Sequence, residues 1–118
     1  MVSELSEQIM VVRKLKAARI LFCAVPNGGR RNRKEAILLK SSGVIPGVPD
    51  VLIFDSPPAA PGAAGTALEM KRESAVPSSV SKFQRRWLSE LSERGWKTIV
   101  GFGGEHALVE LRKLGYEV

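Results

Sequence analysis

A chain of 118 residues with 44% hydrophobic and 25% charged content is sized for one domain with a small core. A single cysteine excludes an internal disulfide framework and a multi-cysteine zinc site. No apolar run approaches the roughly 20 residues of a membrane span, and the N-terminus does not resemble a secretory leader, so a cytoplasmic protein with no membrane partner is expected. The net charge of +6 is carried entirely by residues 1–34, with the remainder balanced. A basic segment on a neutral body is the footprint of a polyanion-binding surface; solubility alone is the plainer explanation.

Residues 3–18 read as a helix. Ser3 suits its cap, and Glu4 and Glu7 suit the positive end of its dipole. Leu5, Val12, Leu15 and Ala18 fall near one stripe, with Ile9 and Val11 beside it. Residues 20–25 are continuously apolar, which reads as a strand buried on both faces with Cys23 as a buried thiol. Pro26-Asn27-Gly28-Gly29 then turns the chain into Arg30, Arg31, Arg33 and Lys34. Beside a glycine turn, such a cluster suits phosphate contacts through side chains and backbone amides, although a charge run is commonly a solvated loop. Residues 33–42 read as a short helix with Ala36, Ile37, Leu38 and Leu39 inside, stopped by Gly43.

Val44-Ile45-Pro46-Gly47-Val48-Pro49 is a stiffened lead-in to Asp50. Val51-Leu52-Ile53-Phe54 and Ala67-Leu68-Glu69-Met70-Lys71 read as short strands, most simply an antiparallel hairpin. The connecting loop 55–66 is rich in Pro, Ala and Gly and is expected to be mobile, with Asp55 at the wrong end of the hairpin to be a ligand. Alternation puts Glu69 and Lys71 on one face and Leu68 and Met70 on the other, and Asp50 arrives at the same end of the hairpin. Two carboxylates meeting there form a donor set for a hard divalent cation, with an ammonium alongside. The plain alternative is an exposed cross-strand salt bridge worth under about 1 kcal/mol.

Residues 79–93 give the clearest helix, with Val80, Phe83, Trp87, Leu88 and Leu91 at helical spacing and Trp87 in the core. Gln84 falls on that apolar stripe, where an amide needs partners. Lys82, Arg85 and Arg86 point elsewhere and are available to a nucleic-acid backbone. Residues 96–102 read as a strand and 105–114 as a last helix, with Ala107, Leu108 and Leu111 inward and Gly115 as its stop. Gly101-Phe102-Gly103-Gly104 has the outline of a phosphate loop but lacks the Lys-Ser/Thr of one. His106, the only histidine, has no accompanying Ser, Cys or acid arrangement and is read as structural or exposed.

Pro49-Asp50 followed by Glu69-x-Lys71 resembles the P-D…(D/E)-x-K signature of restriction-endonuclease-like nucleases. With Pro26-Asn27-Gly28-Gly29, the run Gly43-Val44-Ile45-Pro46-Gly47-Val48-Pro49-Asp50, then Glu69-Met70-Lys71-Arg72-Glu73 and Ser81-x-x-Gln84, nearly the whole chain resembles the VRR-NUC domain, the virus-type replication-repair nuclease. The resemblance implies an α/β fold with a restriction-endonuclease-like core, a small mixed β-sheet flanked by helices, in a single domain over residues 1–118. It implies an endonuclease that hydrolyses DNA phosphodiester bonds with Mg²⁺ or Mn²⁺. Catalytic roles would fall to Asp50, Glu69, Lys71 and Gln84, and metal ligation to Asp50, Glu69 and the main-chain carbonyl of Met70.

Family members also carry an acid on the first helix that reaches the metal. In Glu4-Leu5-Ser6-Glu7-Gln8 that acid is read as Glu4, with Glu7 one turn on as the alternative. DNA contact is expected from Asn27, Arg30, Arg31, Arg33, Lys34, Lys82, Arg85 and Arg86. Stand-alone members act as junction-resolving homodimers, so a homodimer acting on branched or Holliday-junction DNA in replication or repair is expected. A flap or non-specific nuclease, or a binding module that has lost the chemistry, are the alternatives.

Overall fold

The computed structural model describes residues 2–26 and 32–118. Three of its four α-helices begin at a side chain that caps them. Ser3 Oγ accepts from Ser6 N at 3.1 Å to start α1 (Glu4–Ala17), and Asn32 Oδ1 accepts from Glu35 N at 2.8 Å to start α2 (Arg33–Ser41). Ser81 caps α3 (Lys82–Glu93), while α4 (Gly104–Lys113) follows Gly103, whose φ of 90° is a glycine conformation.

The strands are β1 (Phe22–Ala24), β2 (Val51–Ile53), β3 (Thr66–Lys71) and β4 (Lys97–Phe102). They form one sheet in the order β1-β2-β3-β4. β2 runs antiparallel to both β1 and β3, and β4 lies parallel to β3 after the crossover through α3. The hairpin reading of β2 and β3 therefore holds, with Val51 opposite Leu68. This is the mixed sheet flanked by helices that the sequence implied.

Pleating divides the sheet into two faces. Val51, Ile53, Leu68, Met70 and Ile99 pack with Val11 and Leu15 of α1, with Ala107, Leu108 and Leu111 of α4, and with Tyr116. Gly101 lets α4 sit directly on β4: an added Cβ would lie 2.7 Å from that of Ala107. Glu69 and Lys71 project to the opposite face, toward α3.

Several burial expectations are corrected. Cys23 is exposed, because β1 is a short edge strand rather than a doubly covered one. On α1 the core-facing row is Val11 and Leu15, one i,i+4 step apart, whereas Leu5 and Ile9 are exposed. No residue of α2 is fully buried, and Ile37 and Leu38 lie open. Four consecutive apolar residues sweep most of the way round a helix, so they cannot all face inward. On α3, Trp87 is only half-buried and Phe83 is exposed.

The loop after β2, expected to be mobile, is tied down instead. Pro57 is fully buried, Ser56 Oγ donates to Ala63 O at 2.8 Å, and Ala59 N donates to Leu114 O at 2.9 Å. Asp55 belongs to this packing at the far end from Asp50: its Oδ2 accepts from Leu21 N at 3.1 Å, and its carbonyl accepts from Tyr116 OH at 2.6 Å.

Candidate active site

The end of the hairpin that receives Asp50 is built by three constraints. Gly47 has a φ of 95°, and a Cβ there would lie 2.6 Å from the main-chain carbon of Phe83, so the turn presses directly on the first turn of α3. Pro49 is fully buried behind it. Asp50 Oδ2 then accepts from Met70 N at 2.7 Å, which fixes its carboxylate at the β3 end.

Three acids converge there. Carboxylate oxygens of Glu4, Asp50 and Glu69 lie within 4.8 Å of one another. They line a cleft of about 370 Å³ between the start of α1, the Pro46–Val48 turn and the start of α3. Glu69 is 1% exposed, and burial first, then the neighbouring Asp50 charge, pushes its carboxyl up to about 9. Glu4 is raised as well, by burial and then by Asp50, with Lys71 and Arg72 opposing. Glu69 Oε1 is buried and meets no hydrogen-bond donor among the described residues; its neighbour is the Asp50 carboxylate, so Glu69 needs either a proton or a cation there. An orphaned carboxylate oxygen aimed among two further acids fits a hard divalent cation, which takes oxygen ligands.

Glu7 goes elsewhere. Its Oε2 accepts from Gly104 N at 2.6 Å, capping the N-terminus of α4 and tying α1 to it. Of the two candidate acids on α1, the geometry therefore brings Glu4 to the cluster and uses Glu7 to set the helix that carries it. The same contact explains why Gly101-Phe102-Gly103-Gly104 is no phosphate loop. Gly104 N is given to Glu7, and Gly103 N donates to Lys71 O at 2.8 Å.

Lys71 makes no ion pair with Asp50 or Glu69 among the described residues; its Nζ donates to Gln84 Oε1 at 3.0 Å. Gln84 Oε1 also accepts from Ser81 N at 2.8 Å, and Gln84 Nε2 donates to Glu69 Oε2 at 3.1 Å. The amide thus bridges the ammonium and the most buried carboxylate, and only one orientation of its oxygen and nitrogen satisfies all three partners. An ordinary cross-strand salt bridge is not what the residues form.

Gln84 is also the reciprocal member of the Ser81 capping box. The amide on the apolar stripe is held by the helix start itself. Sequence reasoning missed this role for Ser81, and the Ser-x-x-Gln spacing before an apolar run is the signal that could have found it. Gln84→Glu separates the two jobs, since Glu serves a capping box equally well. Denaturation should show stability retained within about 1 kcal/mol, while the cleavage rate falls by about 10- to 100-fold as Lys71 pairs with the new carboxylate. Equal loss of both would reduce Gln84 to a helix cap.

The described basic residues are dispersed. Asn27, Arg30 and Arg31 lie outside the described residues. Arg33 and Lys34 are exposed on the first turn of α2, and Lys82 is exposed at the start of α3. Arg85 donates to Val80 O at 2.6 Å, while Arg86 borders a groove next to the cleft. Met70 keeps its side chain in the core. His106 Nδ1 accepts from Phe102 N at 3.0 Å, a structural contact.

A mixed sheet that gathers Asp50, Glu69 and Lys71 beside a helix-borne acid has the layout of a PD-(D/E)XK-type nuclease domain. The VRR-NUC domain model matches residues 2–102, and the chain belongs to that family. It is similar to a solved structure described as a VRR_NUC domain protein, with a TM-score of 0.74 and 18% identity over 98% of this chain and 89% of that one. That likeness speaks to the fold. No curated protein matches the chain. Nucleases of this type generally use divalent metals.

Proposed function

We propose that this chain is a metal-dependent DNA endonuclease whose chemistry is carried by Asp50, Glu69 and Lys71. The observation that carries the reading is the convergence of Glu4, Asp50 and Glu69 within 4.8 Å, with Lys71 held at Gln84 beside them. Asp50, Glu69, the Met70 carbonyl and Glu4 would hold Mg²⁺ or Mn²⁺. When bound, such an ion supplies Lewis acidity toward the phosphoryl oxygens and makes water acidic enough to act as a nucleophile near neutral pH. Lys71 offers a positive charge where charge builds on the phosphorus centre and a donor that orients water. Gln84 positions both Lys71 and Glu69. Incubating plasmid or oligonucleotide DNA with Mg²⁺ or Mn²⁺ against EDTA tests the reading; binding without metal-dependent cleavage would make the chain a binding module instead.

The substrate we favour is branched DNA cut by a homodimer. Cutting two strands at symmetric positions needs two sites in fixed relation, which two-fold assembly supplies. Leu21 beside β1 and Ile37 and Leu38 on α2 are 65%, 57% and 61% exposed, apolar side chains available to a second copy. Light scattering at micromolar concentration, paired with cleavage of a fixed four-way junction and its matched duplex, tests both parts. A monomer, or equal rates on the two DNAs, leaves a flap or non-specific nuclease.

Arg30, Arg31, Arg33 and Lys34 are assigned to the DNA backbone. Arg33 and Lys34 occupy the first turn of α2, where the helix dipole disfavours cations, so helix stability does not account for them. Replacing the three arginines by Ala should weaken binding to all sequences alike. The log–log salt slope should flatten by roughly 0.9 for each phosphate that the variant no longer neutralises. An unchanged slope in a fluorescence anisotropy titration would remove the cluster from the interface.

A further inference from the structure

Beside the acidic cleft lies a second, more apolar depression of about 540 Å³, lined by Ile45, Pro46, Phe83, Trp87, Arg86 and Arg94 among others. Pro46 and Phe83 line both, so the two are adjacent, with the tight Gly47 turn packed on Phe83 between them. Phe83 and Trp87 are one helical turn apart on α3 and present rings on the same side. Phe83 is 58% exposed and Ile45 50%, which leaves apolar surface open beside a cluster of acids. Arg86 makes no hydrogen bond or ion pair among the described residues. The acid on this rim, Glu90, is matched by Arg94 at 2.6 Å, so Arg86 is left as the uncompensated charge.

We propose that this groove is a stacking subsite for a nucleobase unstacked from the substrate strand next to the scissile phosphate, with Arg86 on the phosphate that flanks it. The inference rests on the nuclease reading for the identity of the neighbouring cleft. Aromatic faces beside a cation are the recurrent means of holding single nucleotides, and they are indifferent to sequence because every base has a π-face. The volume suits a small planar group. An apolar protein segment filling the groove would have to bury the Arg86 guanidinium unpaired, whereas a nucleotide brings its own anion. Branch points are where DNA stacking is interrupted, so the subsite reads structure without reading sequence.

The test is a cycle between protein and DNA, measured as binding with Ca²⁺ in place of Mg²⁺. Wild type and Phe83→Ala are titrated against a junction and against the same junction with an abasic site walked position by position along the strand beside the branch. Phe83 is exposed, so its truncation spares the core. Phe83→Ala should weaken binding to the intact junction by about 5- to 100-fold. One abasic position should weaken wild type comparably, the two losses together should not exceed either alone, and Phe83→Tyr should restore affinity. Additive losses, or no sensitive position, overturn the proposal. So does a shift from dimer to monomer on Phe83→Ala in sedimentation, which would identify a second copy as the occupant. Metal-dependent cleavage of the same junction is scored separately. Coupling without cleavage upholds the subsite and sinks the nuclease reading; cleavage without coupling does the reverse.

Discussion

Glu69→Gln is expected to abolish cleavage, by about a thousandfold or more, while making the metal-free protein more stable at neutral pH. The first effect follows from losing a charged ligand, since a metal's stabilisation of the transition state is worth several kcal/mol. The second follows from the burial of Glu69 beside Asp50, which pushes its carboxyl from 4.5 up to about 9. Because the folded pKa is the higher one, the folded state keeps a proton that the unfolded chain sheds. The associated stability is fully present below pH 4.5 and is lost as pH rises toward about 9. Gln is the neutral shape of the protonated acid, and Gln84 Nε2 still has an oxygen to donate to. The variant therefore escapes that loss, a gain on the order of a few kcal/mol at pH 7. Thermal melts with and without Mg²⁺ read both. The wild type should be stabilised by the ion and the variant should not; a variant that still cleaves, or that still gains stability from Mg²⁺, would remove Glu69 from the site.

The elements that position this site were legible in the sequence because each is announced by chemistry local to it. Ser3 starts a helix, the prolines before Asp50 deny it a helix, and alternation in Leu68-Glu69-Met70-Lys71 separates core from cleft. Burial was less legible, because it depends on which neighbours arrive. Residues 20–25 are as apolar as a central strand, yet among the described residues no strand pairs with the outer edge of β1, and Cys23 is exposed. Phe83 and Trp87 have core spacing but line a groove. Glu7 and Gln84 show the remaining difficulty. Each forms a bond whose partner lies far along the chain, Gly104 in one case and Glu69 in the other, and no periodicity records such a distance.

The same buried acid would make metal binding at this site a proton-releasing reaction. A hard cation takes the carboxylate form, but without metal Glu69 holds its proton until about pH 9. Apparent affinity for Mg²⁺ should therefore climb about tenfold per pH unit, or about 100-fold from roughly pH 6 to 8, and level off near pH 9 where the acid ionises unaided. Glu4 is raised in the same direction and steepens the acid side of the curve, while Lys71 and Arg72 moderate it. Calorimetric titration in buffers of different ionisation enthalpy counts the protons released, and close to one per ion is expected at neutral pH. Cleavage at low pH should then recover when Mg²⁺ is raised, because what fails is occupancy of the site. Affinity that does not change with pH, or a low-pH loss that no Mg²⁺ concentration restores, would place the titrating group in the chemical step and away from Glu69.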